Sequence, residues 1–266
     1  LKPKNRKLAM KKIYVFFFSL FMLALHIPFT FASVNAPGYR GPFVSVLDST
    51  KSIAPGWLLT ASSVYDSLDL GSLGLTRQAF DYAYKGFTYL KEAGKIENDA
   101  ILSIVDFSRP SSEKRLFVID LDNVKLLFNT YVAHGMNSGK AIAKRFSNSM
   151  NSLQSSLGFY ETENTYNGKN GYSLHLLGLE RGINDHAYKR EIVIHGADYV
   201  SEQMIHKKGY IGRSWGCPAI PENLHIPIID EIKNGTCLFI FSPDKNYIKR
   251  SKILKDASST LLAYNH

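Results

Sequence analysis

From Arg77 to Ala93 the apolar residues Ala79, Phe80, Ala83, Phe87 and Leu90 recur at the spacing of one helix face. Thr76 before them and Gly94 after them supply an N-cap and a stop. A second helix is predicted over Trp57–Leu70, so the two form a helical layer whose aromatics, including Tyr82, Tyr84 and Tyr89, pack a core. Beyond residue 100 the pattern changes. Ala100–Phe107 and Arg115–Asp120 are rich in apolar and β-branched residues, and the unbroken run Leu116–Ile119 suits a strand covered on both faces. Asp122-Asn123 turns the chain into a strand over Lys125–Ala133, and Leu157–Thr162, Ser173–Leu179, Glu191–His195 and Cys237–Phe241 predict others. Short helices are predicted from Asp198 to His206 and from Ile228 to Lys233, with Pro227 opening the second and Gly209 and Gly235 as stops. Gly139 to Ser156 is polar and without period, a long loop of the kind that is often functional. The pattern predicts a mainly β fold with flanking helices (α+β), without internal repeats.

The two ends read differently. Lys2, Lys4, Arg6, Lys7, Lys11 and Lys12 precede the apolar run Ile13–Leu25, and Thr30-Phe31-Ala32 offers a small-x-small cleavage pattern. This predicts a secretory signal peptide over residues 1–32, starting at Met10. The alternative is an uncleaved anchor, disfavoured because His26 and Pro28 interrupt a span that needs about 20 apolar residues. Residues 33–96 are assigned to a linker and the helical segment. Residues 244–266 form a basic tail, read as an exposed helix or a disordered end.

Setting the signal segment aside changes the charge. The whole chain holds 32 basic and 23 acidic residues; without the six basic ones just named, 26 against 23 leave +3. So weak a surplus gives no ground for nucleic-acid binding, and only slightly suits an anionic wall polymer or membrane surface.

The candidate chemistry sits in Tyr210–Ile220. Cys217 stands between Gly216, which lets backbone approach a ligand, and Pro218, which fixes a turn. Amides at Gly216 or Cys217 could face an oxyanion. His195 ends the apolar run Ile192-Val193-Ile194, so a strand-end imidazole and a loop thiol give the minimal activated nucleophile. Bland readings stand beside this one: His195 as a satisfied core histidine, Cys217 as an inert thiol, or Cys217 in a disulfide with Cys237. A metal site from His195, His206 and Cys217 lacks close ligand pairs, and none is expected.

The motifs Val132-Ala133-His134-Gly135, Asn137-Ser138-Gly139, Ser155–Tyr160, Tyr166-Asn167-Gly168, Gly171-Tyr172-Ser173, His195-Gly196 and Ser214-x-Gly216-Cys217-Pro218-Ala219, in this order, carry a resemblance. The chain resembles the L,D-transpeptidase catalytic domain (YkuD-like cell-wall enzymes) from about Ala79 to Pro243. The resemblance implies a β-sandwich or β-barrel-like catalytic domain over 97–243, with no cofactor. It implies Cys217 as nucleophile, His195 as base, and a backbone carbonyl at Ser214 orienting the imidazole. It implies peptidoglycan stem peptides as substrate, cut between an L- and a D-centre, and passed to an amine or to water. That places the protein in the periplasm or cell wall, with membrane contact only through the export signal. Arg213, Trp215, Gly196, His134 and Tyr172 are candidate substrate contacts. Two departures matter: Trp215 stands where many members carry His, and Pro218-Ala219 where many carry Arg, with Arg213 the evident replacement for a carboxylate clamp. The readings left open are an L,D-transpeptidase, an L,D-carboxypeptidase, a silent wall-binding module, and a secreted hydrolase of another amide.

Overall fold

The computed structural model describes residues 60–264, with side chains placed to residue 258; the expected signal peptide and most of the linker lie outside this range. Helix α1 (Ala61–Ser67) begins at Thr60, whose hydroxyl accepts the Ser63 amide at 3.2 Å. Helix α2 (Arg77–Glu92) is capped as predicted: Thr76 Oγ1 accepts the Ala79 amide, and Gly94 takes φ +60° just past the end. The same Thr76 hydroxyl donates to the buried Asp106, tying the helix start to a strand end at 2.7 Å.

Eight strands form one mixed, nearly barrel-shaped sheet. They are β1 (Ile101–Asp106), β2 (Leu116–Asp120), β3 (Lys125–Thr130), β4 (Gly158–Gly168), β5 (Gly171–Gly178), β6 (Val193–Ala197), β7 (Ala219–Pro221) and β8 (Cys237–Phe241), in the order β3-β2-β1-β8-β4-β5-β6-β7. The β1–β8 and β6–β7 pairs are parallel and the rest antiparallel. Central β1 and β8 are buried along their whole length; β8 is apolar throughout, and β1 is apolar apart from Ser103 and Asp106. Strand β4 runs six residues beyond the expected end. Only Gly158–Glu161 pairs with β8; the polar remainder pairs with β5 alone, so no second covered face left an apolar signature.

Helix α2 packs on β1 and β8 through Ala79, Phe80, Ala83, Gly86, Phe87 and Leu90. Gly86 sits mid-helix because a Cβ there would lie 2.0 Å from the Phe159 ring, itself stacked on Phe239 at 4.2 Å. Gly86→Ala should therefore destabilise by about 2 kcal/mol, overpacking outweighing a propensity gain of about 1 kcal/mol. A urea midpoint measures this, and adding Phe159→Leu should recover part of the loss.

The C-terminal segment is neither exposed nor irregular. It forms α5 (Lys245–Arg250) and α6 (Lys252–Tyr264), with Tyr247, Ile253, Leu254 and Ala257 buried and α6 against α2. Its basic residues hid the buried face. Buried Glu180 anchors it, accepting from Tyr247 Oη at 3.0 Å and from Ser251 Oγ. The remaining helices are α3 (Glu202–Lys208), begun at Ser201 rather than Asp198, and α4 (His225–Ile232), which packs on β5 and β6.

Candidate active site

Strand β6 carries the histidine, and period-2 alternation sends His195 and Gly196 to opposite faces. A Cβ on Gly196 would meet the His225 ring of α4 at 2.7 Å, so the Gly196 face is the one α4 covers. Register pairs Ser173 with His195, which puts Tyr172 beside Gly196 on that same covered face. There the Tyr172 hydroxyl donates to Asp230 of α4 at 2.8 Å. Gly196 and Tyr172, expected as substrate contacts, both belong to the seam between sheet and helix, and the imidazole lies across the sheet from them.

Buried His195 holds its Nδ1 2.8 Å from its neighbour's carbonyl, Gly196 O. A carbonyl only accepts, so Nδ1 carries the hydrogen and Nε2 keeps its lone pair. The orienting acceptor was expected at Ser214. It is Gly196 instead, and Ser214 O accepts the Met136 amide at 2.8 Å. Burial lowers the His195 pKa below the ordinary histidine value, and the nearby His225 lowers it further; the bond to Gly196 partly offsets them.

The cysteine loop is clamped from three sides. Ser214 donates its amide to His134 O at 3.0 Å, and its hydroxyl donates to Cys217 O at 2.5 Å while accepting the Gly216 amide at 3.1 Å. Ser155 Oγ donates to Gly216 O at 3.1 Å and accepts from Gly135 N at 3.0 Å. Gly216 takes φ +132°, where an L side chain is strained and a Cβ would lie 3.0 Å from Gln154 O. The Gly216 amide is thus committed to Ser214 and is not the oxyanion donor expected. Strand β7 begins two residues after Cys217 and pairs Ala219 with His195. At three residues on the sheet edge it was too short to read in advance.

Cys217 is half-buried and its thiol donates to Glu191 O at 3.6 Å. Burial raises its pKa, opposed by the Val193 backbone and the positive charge of Arg190. Cys237 is a free thiol in the β8 core, so the disulfide alternative is not formed.

His134 does not stand open in the cleft, and its buried Nε2 has no hydrogen-bond partner among the described residues. It is fully buried, its Nδ1 accepts from the buried Arg115 at 2.8 Å, and burial and Arg115 push its pKa down to about 3. Its backbone, by contrast, positions Ser214. Trp215 stands 70% exposed beside the cysteine, available to a ligand. Arg213 Nη1 donates to Met136 O and Gly139 O, both at 3.0 Å, closing a turn of the neighbouring loop.

Arg190 and Ser155 were missed as site residues. Arg190 donates to Ser147 O, Ser156 Oγ, Ser152 Oγ and Gln154 O, four neutral acceptors beside the Cys217 loop, and among the described residues it joins no ion pair. Arg190→Met should raise the Cys217 pKa further and slow its alkylation near neutral pH by roughly three- to tenfold. The pH profile of iodoacetamide labelling checks this, its midpoint moving upward.

A family model described as "L,D-transpeptidase catalytic domain" matches residues 72–241. Among solved structures, an L,D-transpeptidase from Mycobacterium smegmatis matches with 12% identity, 54% of this chain and 59% of that one, at TM-score 0.34. The helical cell shape determining protein Pgp2 from Campylobacter jejuni matches with 15% identity, 68% of this chain and 62% of that one, at TM-score 0.38. The chain thus spans less than two thirds of either of them. No curated protein matches significantly.

Proposed function

Because the chain belongs to the L,D-transpeptidase catalytic domain family, we propose that it is an exported cysteine acyltransferase that remodels peptidoglycan, with Cys217 as nucleophile and His195 as base. The reading is supported above all by the His195 Nδ1–H bond to Gly196 O, which commits the imidazole to the tautomer whose Nε2 can take a proton. The clamped cysteine loop, next to the strand that carries this histidine, supports it too.

In this reading Nε2 takes the thiol proton, and the sulfur leaves Glu191 O, which a thiolate cannot hydrogen-bond. The sulfur attacks the carbonyl carbon of a stem-peptide bond, forming a C–S bond and an oxyanion. In this reading Cys217's own amide, one of the backbone donors beside its sulfur, faces that oxyanion. Collapse breaks the C–N bond, the departing amine takes the proton from His195, and a thioester remains. An acceptor amine then attacks the thioester, gives its proton to His195, and expels the thiolate, which is reprotonated. With water as acceptor the same steps trim the stem.

The export signal and a periplasmic or wall location belong to this proposal. The test is to incubate the purified protein with muropeptides and weigh the products. Crosslinked dimers mark a transpeptidase and trimmed stems a carboxypeptidase. An unchanged substrate together with no thioester on Cys217 counts against both.

A further inference from the structure

Beside the cysteine loop lies an open cavity of roughly 480 Å³ between the 136–145 loop and Arg213. Four cations line it, Lys140, Lys144, Arg145 and Arg213, and no acidic residue does. Among the described residues none of the four joins an ion pair. The walls are built rather than draped. Lys144 N and Arg145 N both donate to Ser138 O, Ala141 O accepts the Ser111 amide, and Arg145 Nε and Arg213 Nη1 hold the carbonyls of Asn137, Met136 and Gly139. Met136 and Ile142 add apolar surface, at 38% and 39% exposed.

This cavity is joined to the nucleophile by two short links. Met136 N donates to Ser214 O at 2.8 Å. The buried Ser138 hydroxyl accepts the Ser155 amide at 3.0 Å, and the Ser155 hydroxyl donates to Gly216 O, one residue before Cys217. A ligand seated here would have its neighbouring backbone within reach of the cysteine loop. Concentrated positive charge with apolar walls fits a short peptide bearing free carboxylates.

We propose that this cavity is the carboxylate subsite of the donor stem peptide, with Lys140 and Lys144 as the specificity-determining charges. The assignment rests on the acyltransferase reading for its ligand. It places the charges on the 136–145 loop, which the two links above tie to the cysteine loop.

The experiment uses the full-length Cys217→Ala protein, which cannot turn over. Calorimetric titration compares a stem tetrapeptide in its free-acid form with the same peptide carrying carboxamides. The free acid should bind roughly tenfold tighter, and Lys140→Ala/Lys144→Ala should erase most of that preference. Both lysines are exposed, so the fold should stand without them. Equal binding of acid and amide, no binding of either, or a lysine variant that binds like its parent would overturn the subsite. Mass spectrometry of the parent with muropeptides separates the two ideas. Discrimination without covalent products leaves the subsite and sinks the acyltransferase; products with a KM indifferent to both lysines do the reverse.

Discussion

Cys217→Ala is expected to abolish bond making and bond cutting in muropeptides, a loss of at least about a thousandfold. The two serines that clamp the cysteine loop are already engaged: Ser214's hydroxyl between Cys217 O and Gly216 N, and Ser155's between Gly216 O and Gly135 N. The same bonds explain why the variant should fold. The loop is held by its serines and its backbone, and the thiol adds only a long contact to Glu191 O. Product masses and a melting curve measured on one preparation separate chemistry from stability. A variant retaining a tenth of parental turnover would dismiss Cys217 as nucleophile.

His195→Gln should lower turnover by roughly a hundred- to ten-thousandfold, the usual worth of a positioned general base. The pH profile carries the finer test. Turnover requires the neutral imidazole, so the rate falls as acid protonates it. Burial, helped by the nearby His225, holds the His195 pKa below its ordinary value. The acid limb of kcat/KM should therefore lie below the ordinary histidine range, and the enzyme should stay active in mildly acidic buffer. Removing the neighbouring imidazole with His225→Gln should move that limb upward. A limb unmoved by His225→Gln, in a protein whose turnover survives His195→Gln, would remove the imidazole from the reaction.

Much of the fold was legible because burial writes itself into sequence. The α2 stripe carries the helical period, Thr76 marks its start, and the β1, β2 and β8 runs are the mostly apolar stretches of strands covered on both faces. What failed to show lacked that mark. The outer half of β4 is covered by one neighbour only, β7 is too short to have a period, and lysines on α5 and α6 surround a buried stripe that reads as basic tail.

Of the candidate site, the strand end that carries His195 and the loop that carries Cys217 were legible, but not its sidedness. His134, Gly196 and Tyr172 lie close to the right residues in sequence, yet the pleat and the strand register send their side chains elsewhere. Assigning Tyr172 required knowing that Ser173 aligns with His195. Arg190 was invisible for a related reason. Its partners are carbonyls and hydroxyls from 147 to 156, and backbone oxygens leave no trace in a string of side chains.

The contact between the Cys217 sulfur and Glu191 O has a meaning for the idle protein. Peroxide attacks thiolates, and oxidation to a sulfenic acid follows how much thiolate is on offer. A sulfur that keeps its hydrogen, with a carbonyl oxygen against it, offers little. Such a molecule can wait with its sulfur unoxidised until a ligand arrives.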